Sequence, residues 1–94
     1  MEYCVVGLSQ TAQLEYAKDG IRINVVCPGP TRTPLLESFF AKKPEVERWV
    51  RERVPAGRIA EPEEIAAAVL WLSSDAASFV YGSVLPVEGG ILLS

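Results

Sequence analysis

The run Ile21-Arg22-Ile23-Asn24-Val25-Val26-Cys27, closed by Pro28-Gly29-Pro30, constrains this chain more than any other stretch. It is short, rich in β-branched residues and apolar on both faces toward its end, which predicts a buried parallel strand. Two prolines then remove backbone donors and fix φ, so the strand must stop there. A parallel strand reaches its partner only through a crossover of a dozen or more residues, usually helical. The remaining sequence supplies one: helical patterns fill the interval up to Ser83-Val84-Leu85-Pro86-Val87, a second strand. Pro86 cannot donate to a ladder, which puts that strand at a sheet edge.

Helix signals flank and connect the strands. From Tyr3 to Lys18, Val5, Leu8, Ala12 and Leu14 through Tyr16 recur at spacings of three and four, opposite a polar face of Ser9, Gln10 and Gln13. Lys18-Asp19-Gly20 ends this helix with a late cation and a glycine free to take positive φ. Thr33 reads as an N-cap with Pro34 at the first helical position, opening a short helix through Phe40. Pro44 opens another over Glu45 to Arg53, with Val46, Trp49, Val50 and Val54 as an apolar stripe. Glu61-Pro62-Glu63-Glu64 crowds acid and proline at the positive end of a third helix. Its Ile65, Ala68, Val69 and Leu72 share one face, it ends near Ser73, and Ser74 caps a further turn from Asp75 to Phe79. Glu63 and Glu64 act as dipole partners rather than an acid–base pair, since adjacent helical side chains diverge by about 100°. The order predicts an α/β fold of two parallel strands with flanking helices, one partial domain over residues 1–94.

Composition excludes several functions. Twelve acidic against nine basic residues give a net charge of −3, without the basic excess of a dedicated nucleic-acid binder. Six of the nine basic residues lie between Lys42 and Arg58, but Glu45, Glu47 and Glu52 interleave with them, so the cluster reads as a solvated helix face. No apolar run approaches the roughly 18 residues of a membrane span. Histidine is absent, which removes Ser-His-Asp catalysis and His-ligated metals. Cys4 and Cys27 form no Cys-x-x-Cys pair. Their apolar neighbours favour buried free thiols in a cytoplasmic protein, with a single bridge as the alternative.

Three stretches together resemble the C-terminal part of a short-chain dehydrogenase/reductase. Val5-Val6-Gly7-Leu8-Ser9 through Leu14-Glu15-Tyr16-Ala17 is similar to the segment after that family's catalytic Tyr-x-x-x-Lys. Gly20 through Pro34 resembles its strand and Pro-Gly-x-x-x-Thr loop. Gly57-Arg58, Pro62-Glu63-Glu64-Ile65-Ala66, Leu72-Ser73-Ser74, Gly82 and Val87-Glu88-Gly89-Gly90 are similar to its final helix and strand. Tyr81 stands where the family usually has Thr, and Glu88 where it has Asp. Counting back from Gly7, the catalytic lysine would fall on Glu2 and the tyrosine before Met1. Four residues after Tyr3, Tyr16 and Tyr81 stand Gly7, Gly20 and Leu85, so none of the three heads the motif. Nor do the seven glycines form a dinucleotide-binding Gly-x-x-x-Gly-x-Gly or Gly-x-Gly-x-x-Gly loop.

The resemblance implies the C-terminal portion of a Rossmann-like doubly wound parallel sheet, incomplete as given. Its parent would transfer hydride between NAD or NADP and a carbonyl or alcohol substrate. The loop of Pro28, Gly29, Pro30, Thr31 and Thr33 would lie against the nicotinamide. Gly29 would permit close backbone approach, and Pro30, lacking N–H, would contribute a carbonyl at most. From the residues alone, Pro-Gly-Pro ends a strand and Thr33 caps a helix, and only the resemblance adds the cofactor role. Leu36, Phe39, Phe40 and Trp49 line an apolar substrate pocket on the family reading and pack as ordinary core on the other. With no catalytic residue retained, the isolated chain is expected to be inactive and to bind neither cofactor tightly. A homo-oligomer is expected, because the helix from Tyr3 to Lys18 and the strand from Ile21 to Cys27 would expose apolar surface that absent strands normally cover, and an unpaired apolar edge recruits another chain. A non-catalytic remnant serving in structure or subunit assembly is the alternative, since the first helix and last strand match the family's subunit-contact elements.

Overall fold

The computed structural model describes residues 2–91, with side chains from residue 6 onward. The side chains of Tyr3, Cys4 and Val5 lie outside the described residues. Helix α1 spans Glu2–Tyr16 and tightens into a 3₁₀ turn over Ala17–Asp19. Gly20 then takes φ 76° and donates to the Ala17 carbonyl, the left-handed stop expected of Lys18-Asp19-Gly20. Strand β1 is Val25–Pro28, followed by α2 (Pro34–Lys42), α3 (Pro44–Arg53) and α4 (Pro62–Leu72). A 3₁₀ turn at Asp75–Ala77 leads to β2, Val84–Val87. The strands pair in parallel, Val25 with Val84 through Pro28 with Val87. Pro86 lies opposite Cys27 in a two-stranded sheet, so its missing donor interrupts no second ladder among the described residues.

Three sequence-based readings need correction. The ladder does not begin at Ile21, because the Gln13 side chain has taken two of the backbone groups that would make it, while the Ile23 carbonyl accepts from the Gly82 amide (3.0 Å). The buried Gln13 donates to the Ile21 carbonyl (2.8 Å) and accepts from the Ile23 amide. Asn24 donates to the Val80 carbonyl (3.0 Å) and accepts from both the amide and the hydroxyl of Ser83 (2.9 Å each). Ser83 is thereby held before β2 rather than in it. Ser74 does not cap the following turn either: its hydroxyl donates back to the Trp71 carbonyl at 2.7 Å. Arg22 closes this end of α4 instead, donating to the carbonyls of Leu72 (2.6 Å), Ala77 (2.9 Å) and Ser74 (3.2 Å). A cation at a helix C-terminus satisfies orphan carbonyls and opposes the negative end of the dipole.

Burial is thin. Phe40, Val54, Ile59, Leu72 and Ala77 form the buried apolar set. The accessible surface is 6910 Å² for a mass of 10.2 kDa, against about 5,300 Å² for a compact monomer of that size. The radius of gyration, 15.9 Å with extents of 50 × 26 × 24 Å, exceeds the roughly 12 Å of a compact chain of this length. The faces read along α1 are not borne out: Leu8 and Leu14 are 73% and 84% exposed, whereas Gln13 of the face read as polar is buried.

Candidate cofactor loop

Residues 28–33 leave the carboxyl end of β1, the end at which open parallel sheets bind ligands. Gly29 first extends the pairing, donating to the Val87 carbonyl at 3.0 Å. A Cβ here would stand 2.7 Å from Glu88 Cβ and 2.8 Å from Glu88 Cα. The close approach that requires glycine is thus made by this chain's own backbone after β2. Pro30 offers its carbonyl to the Ala60 amide (3.0 Å), and the Ala60 carbonyl accepts from Arg32 (2.8 Å). This bridge ties the loop to the segment preceding α4.

Thr31 and Thr33 differ in what they hold. The Thr31 hydroxyl donates to the Gly29 carbonyl at 2.9 Å. Thr33 caps α2, with φ −122° and ψ 159°, its Oγ1 accepting from the Leu36 amide at 3.2 Å. A hydroxyl accepts and donates at once, so the cap leaves the Thr33 hydrogen available. The two readings of Thr33 are compatible. Among the described residues, the Thr31 and Thr33 amides donate to no protein group. Two backbone donors and one hydroxyl donor therefore sit within three residues at the strand's end. A carboxamide carries a carbonyl to accept from such donors, so the residues present suit a nicotinamide.

Sequence reasoning missed Arg32, between the two threonines. Its guanidinium hydrogen-bonds Glu37 of α2 and lies 3.2 Å from Glu61 and 3.6 Å from Glu47 of α3. The hydrogen bond to Glu37 raises its already high pKa; desolvation opposes that rise, and the charges of Glu37, Glu61 and Glu47 add to it. No local spacing announces this cluster, because its carboxylates come from three separate elements. Arg58 grips both oxygens of Glu64, at 2.6 and 2.7 Å, and Glu64 also accepts from the Glu61 amide at 3.0 Å. Arg58 and that amide hold the Glu64 carboxyl down at about 2, so Glu64 serves the helix start, as the sequence reading proposed.

A small cavity of about 70 Å³ lies among Pro30, Ala60, Val87 and the Arg58–Glu64 pair. A larger apolar hollow, about 600 Å³, runs along Pro28, Thr31 and the Pro62, Ile65, Ala66 and Val69 face of α4. Of the four residues offered for a substrate pocket, Phe39 and Phe40 stand with ring centroids 6.3 Å apart. Phe40 is core, Leu36 is half-buried, and Phe39 and Trp49 are exposed, with Arg53 4.5 Å over the Trp49 ring. Cys27 is a free, half-buried thiol. Among the described residues, no His, Cys, Asp or Glu group could hold a metal ion, and no helix is long and apolar enough to cross a membrane.

Comparison with known proteins agrees with this geometry. A family model described as enoyl-(acyl carrier protein) reductase matches residues 3–92. The chain is 42% identical over 92 residues to the A-factor type gamma-butyrolactone 1'-reductase (1S-forming) of Streptomyces virginiae, covering 98% of this chain and 36% of the relative. It is 45% identical over 89 residues to the 2,5-dichloro-2,5-cyclohexadiene-1,4-diol dehydrogenase of Sphingobium indicum, covering 95% and 36%. A short-chain dehydrogenase/reductase from Burkholderia thailandensis superposes with a TM-score of 0.90 at 37% identity, over 98% of this chain and 36% of that one. An Agrobacterium tumefaciens protein solved with bound NADP superposes with a TM-score of 0.88 at 38% identity, over 96% and 36%. The chain thus spans about a third of the length of these relatives. Its strands, helices and Pro-Gly loop are the corresponding part of a Rossmann-like sheet, and the chain belongs to the short-chain dehydrogenase/reductase family.

Proposed function

We propose that residues 28–33 hold the nicotinamide carboxamide of NAD or NADP in an oxidoreductase of which this chain forms the C-terminal third. The observation that carries the reading is the pair of unengaged amides on Thr31 and Thr33, beside the Thr33 hydroxyl, at the carboxyl end of β1. When bound, the cofactor supplies hydride exchange with a carbonyl or alcohol carbon. The chain's own residues bind and orient. The Thr31 and Thr33 donors fix the carboxamide and hence the ring face, and the Gly29 contact with Glu88 sets how far the loop stands from β2. The relatives act on chemically unlike compounds, a butyrolactone and a chlorinated cyclohexadiene diol. Similar identity to both fits a segment that serves the cofactor, with the choice of carbonyl or alcohol made elsewhere. A cytoplasmic setting accords with the free Cys27 thiol.

The proton donor, its lysine partner and the pyrophosphate loop have no counterpart in this sequence. A few hydrogen bonds to one end of a dinucleotide do not offset the roughly 4 kcal/mol or more of freedom lost on association. Titration of the isolated chain with NADH and NADPH by calorimetry, with ketone and alcohol assays beside it, is therefore expected to show neither micromolar binding nor turnover. Either result above a denatured control would overturn this reading.

A second reading, an assembly role, is favoured by the exposed Leu8 and Leu14 of α1 and the surplus surface. Each strand of the two-stranded sheet also has an open edge among the described residues, and open edges recruit strands. Light scattering at high micromolar concentration is expected to show dimers or larger species. A monodisperse monomer would remove this reading.

A further inference from the structure

We propose that Arg32 is the positioning residue that keeps Thr31 and Thr33 in the conformation that presents their donors, an inference resting on the cofactor-loop reading above. Pro28 and Pro30 contribute no N–H. Past Gly29 the backbone is tied at its middle through the Pro30–Ala60 and Arg32–Ala60 bonds and at its far end through the Thr33 carbonyl, which accepts from the Glu37 amide (2.8 Å), while the two threonine hydroxyls bond Gly29 and Leu36. Arg32 lies between the two threonines, and its side chain, 25% exposed, meets carboxylates from α2, α3 and the residue before α4. Attachments from three elements restrain a side chain in more than one direction, which a single ion pair does not. A guanidinium suits this task, because its rigid fork carries five donors in a plane, whereas an ammonium is a point charge. Removing Arg32 would free the loop and leave three carboxylates facing one another. The same contacts link the loop to α2 and α3, so a displacement of either helix is passed to Thr31 and Thr33.

The test is ¹⁵N relaxation on the full 94-residue chain, comparing wild type with Arg32→Gln, Arg32→Lys and Glu61→Gln. Wild-type order parameters at Thr31 and Thr33 are expected near 0.85, falling below about 0.6 in both Arg32 variants. Gly29, bonded to Val87, and Ile65 of α4 should keep their rigid values. Glu61→Gln, which removes one of three attachments and leaves the fold's core untouched, should give an intermediate loosening. Unchanged order parameters at Thr31 and Thr33, or a fall shared by Gly29 and Ile65, would overturn the positioning role. Full restoration by Arg32→Lys would assign the effect to charge alone and overturn the role of the fork. In a chimera in which residues 3–92 complete the sheet of the Agrobacterium tumefaciens protein solved with bound NADP, Arg32→Lys is expected to raise the NADPH Kd several-fold, and an unchanged Kd would overturn the positioning role. A folded chimera that binds no NADPH would instead sink the cofactor-loop reading, a failure distinct from that of Arg32.

Discussion

Gly29→Ala tests the packing that sets the candidate loop. The new methyl would lie 2.7 Å from Glu88 Cβ and 2.8 Å from Glu88 Cα, where carbon atoms settle at about 3.5–4.0 Å. Neither side can yield by a rotamer change. Gly29 is pinned to the Val87 carbonyl and Pro28 is paired with Val87, so relief requires parting the ends of β1 and β2. Forced overpacking of this kind costs about 1–3 kcal/mol. For a chain of this size 1 kcal/mol corresponds to about 4–8 °C, so a 2 kcal/mol loss lowers Tm by roughly 8–16 °C. Gly7→Ala is the control. A Cβ there meets nothing within 4 Å, and alanine inside a helix should stabilise by about 0.5–1 kcal/mol. Both variants are to be melted at one fixed protomer concentration, because self-association shifts apparent stability. A Gly29→Ala melt within error of wild type would refute the claim that the Glu88 contact demands glycine.

Other residues give separate outcomes. Thr33→Ala is expected to cost about 1 kcal/mol as a lost helix cap, with Thr33→Ser near wild type in denaturant titrations. In a completed enzyme the alanine should also weaken cofactor binding, and equal binding by the Ser and Ala variants would leave only the cap. Arg22→Met removes hydrogen bonds to three carbonyls and should destabilise by about 2 kcal/mol or more, seen as a lower urea midpoint; an unchanged midpoint would show those carbonyls finding water. The Glu64 carboxyl is held at about 2 against an ordinary 4.5. A depressed folded-state value gives stability present in full above about pH 4.5 and lost as pH falls toward 2. Glu64→Gln should flatten Tm across that window, and an unaltered slope would dismiss the Arg58–Glu64 pair as a source of acid sensitivity.

Features signalled by near neighbours were legible in the sequence. The stop at Gly20, the Thr33 cap with Pro34, and the proline starts at Pro44 and Pro62 all stand as read, because each depends on φ preference or on a bond spanning a few residues. The parallel pairing followed from helices placed between two β-branched runs. Strand limits did not, since Gln13 takes the Ile21 carbonyl and the Ile23 amide, and the Asn24 side chain takes the Val80 carbonyl and the Ser83 amide, through bonds that no local spacing signals. Gln13 read as one member of α1's polar face, yet it is buried. The family's loop was visible in Pro28-Gly29-Pro30 and Thr33, but the atom that needs Gly29 to be small belongs to Glu88. Arg32 stood outside the Lys42–Arg58 cluster, and only the folded chain gathers Glu37, Glu47 and Glu61 around it.

Cofactor binding by a completed sheet tests the central claim most directly. Residues 3–92 are to replace the matching third of the Agrobacterium tumefaciens protein solved with bound NADP, and NADPH binding is to be followed by fluorescence. The account predicts a Kd within about tenfold of the unmodified protein, a difference of about 1.4 kcal/mol, weakened by Thr33→Ala and not by Thr33→Ser. A chimera that folds by circular dichroism yet leaves NADPH fluorescence unchanged at saturating concentrations would contradict it.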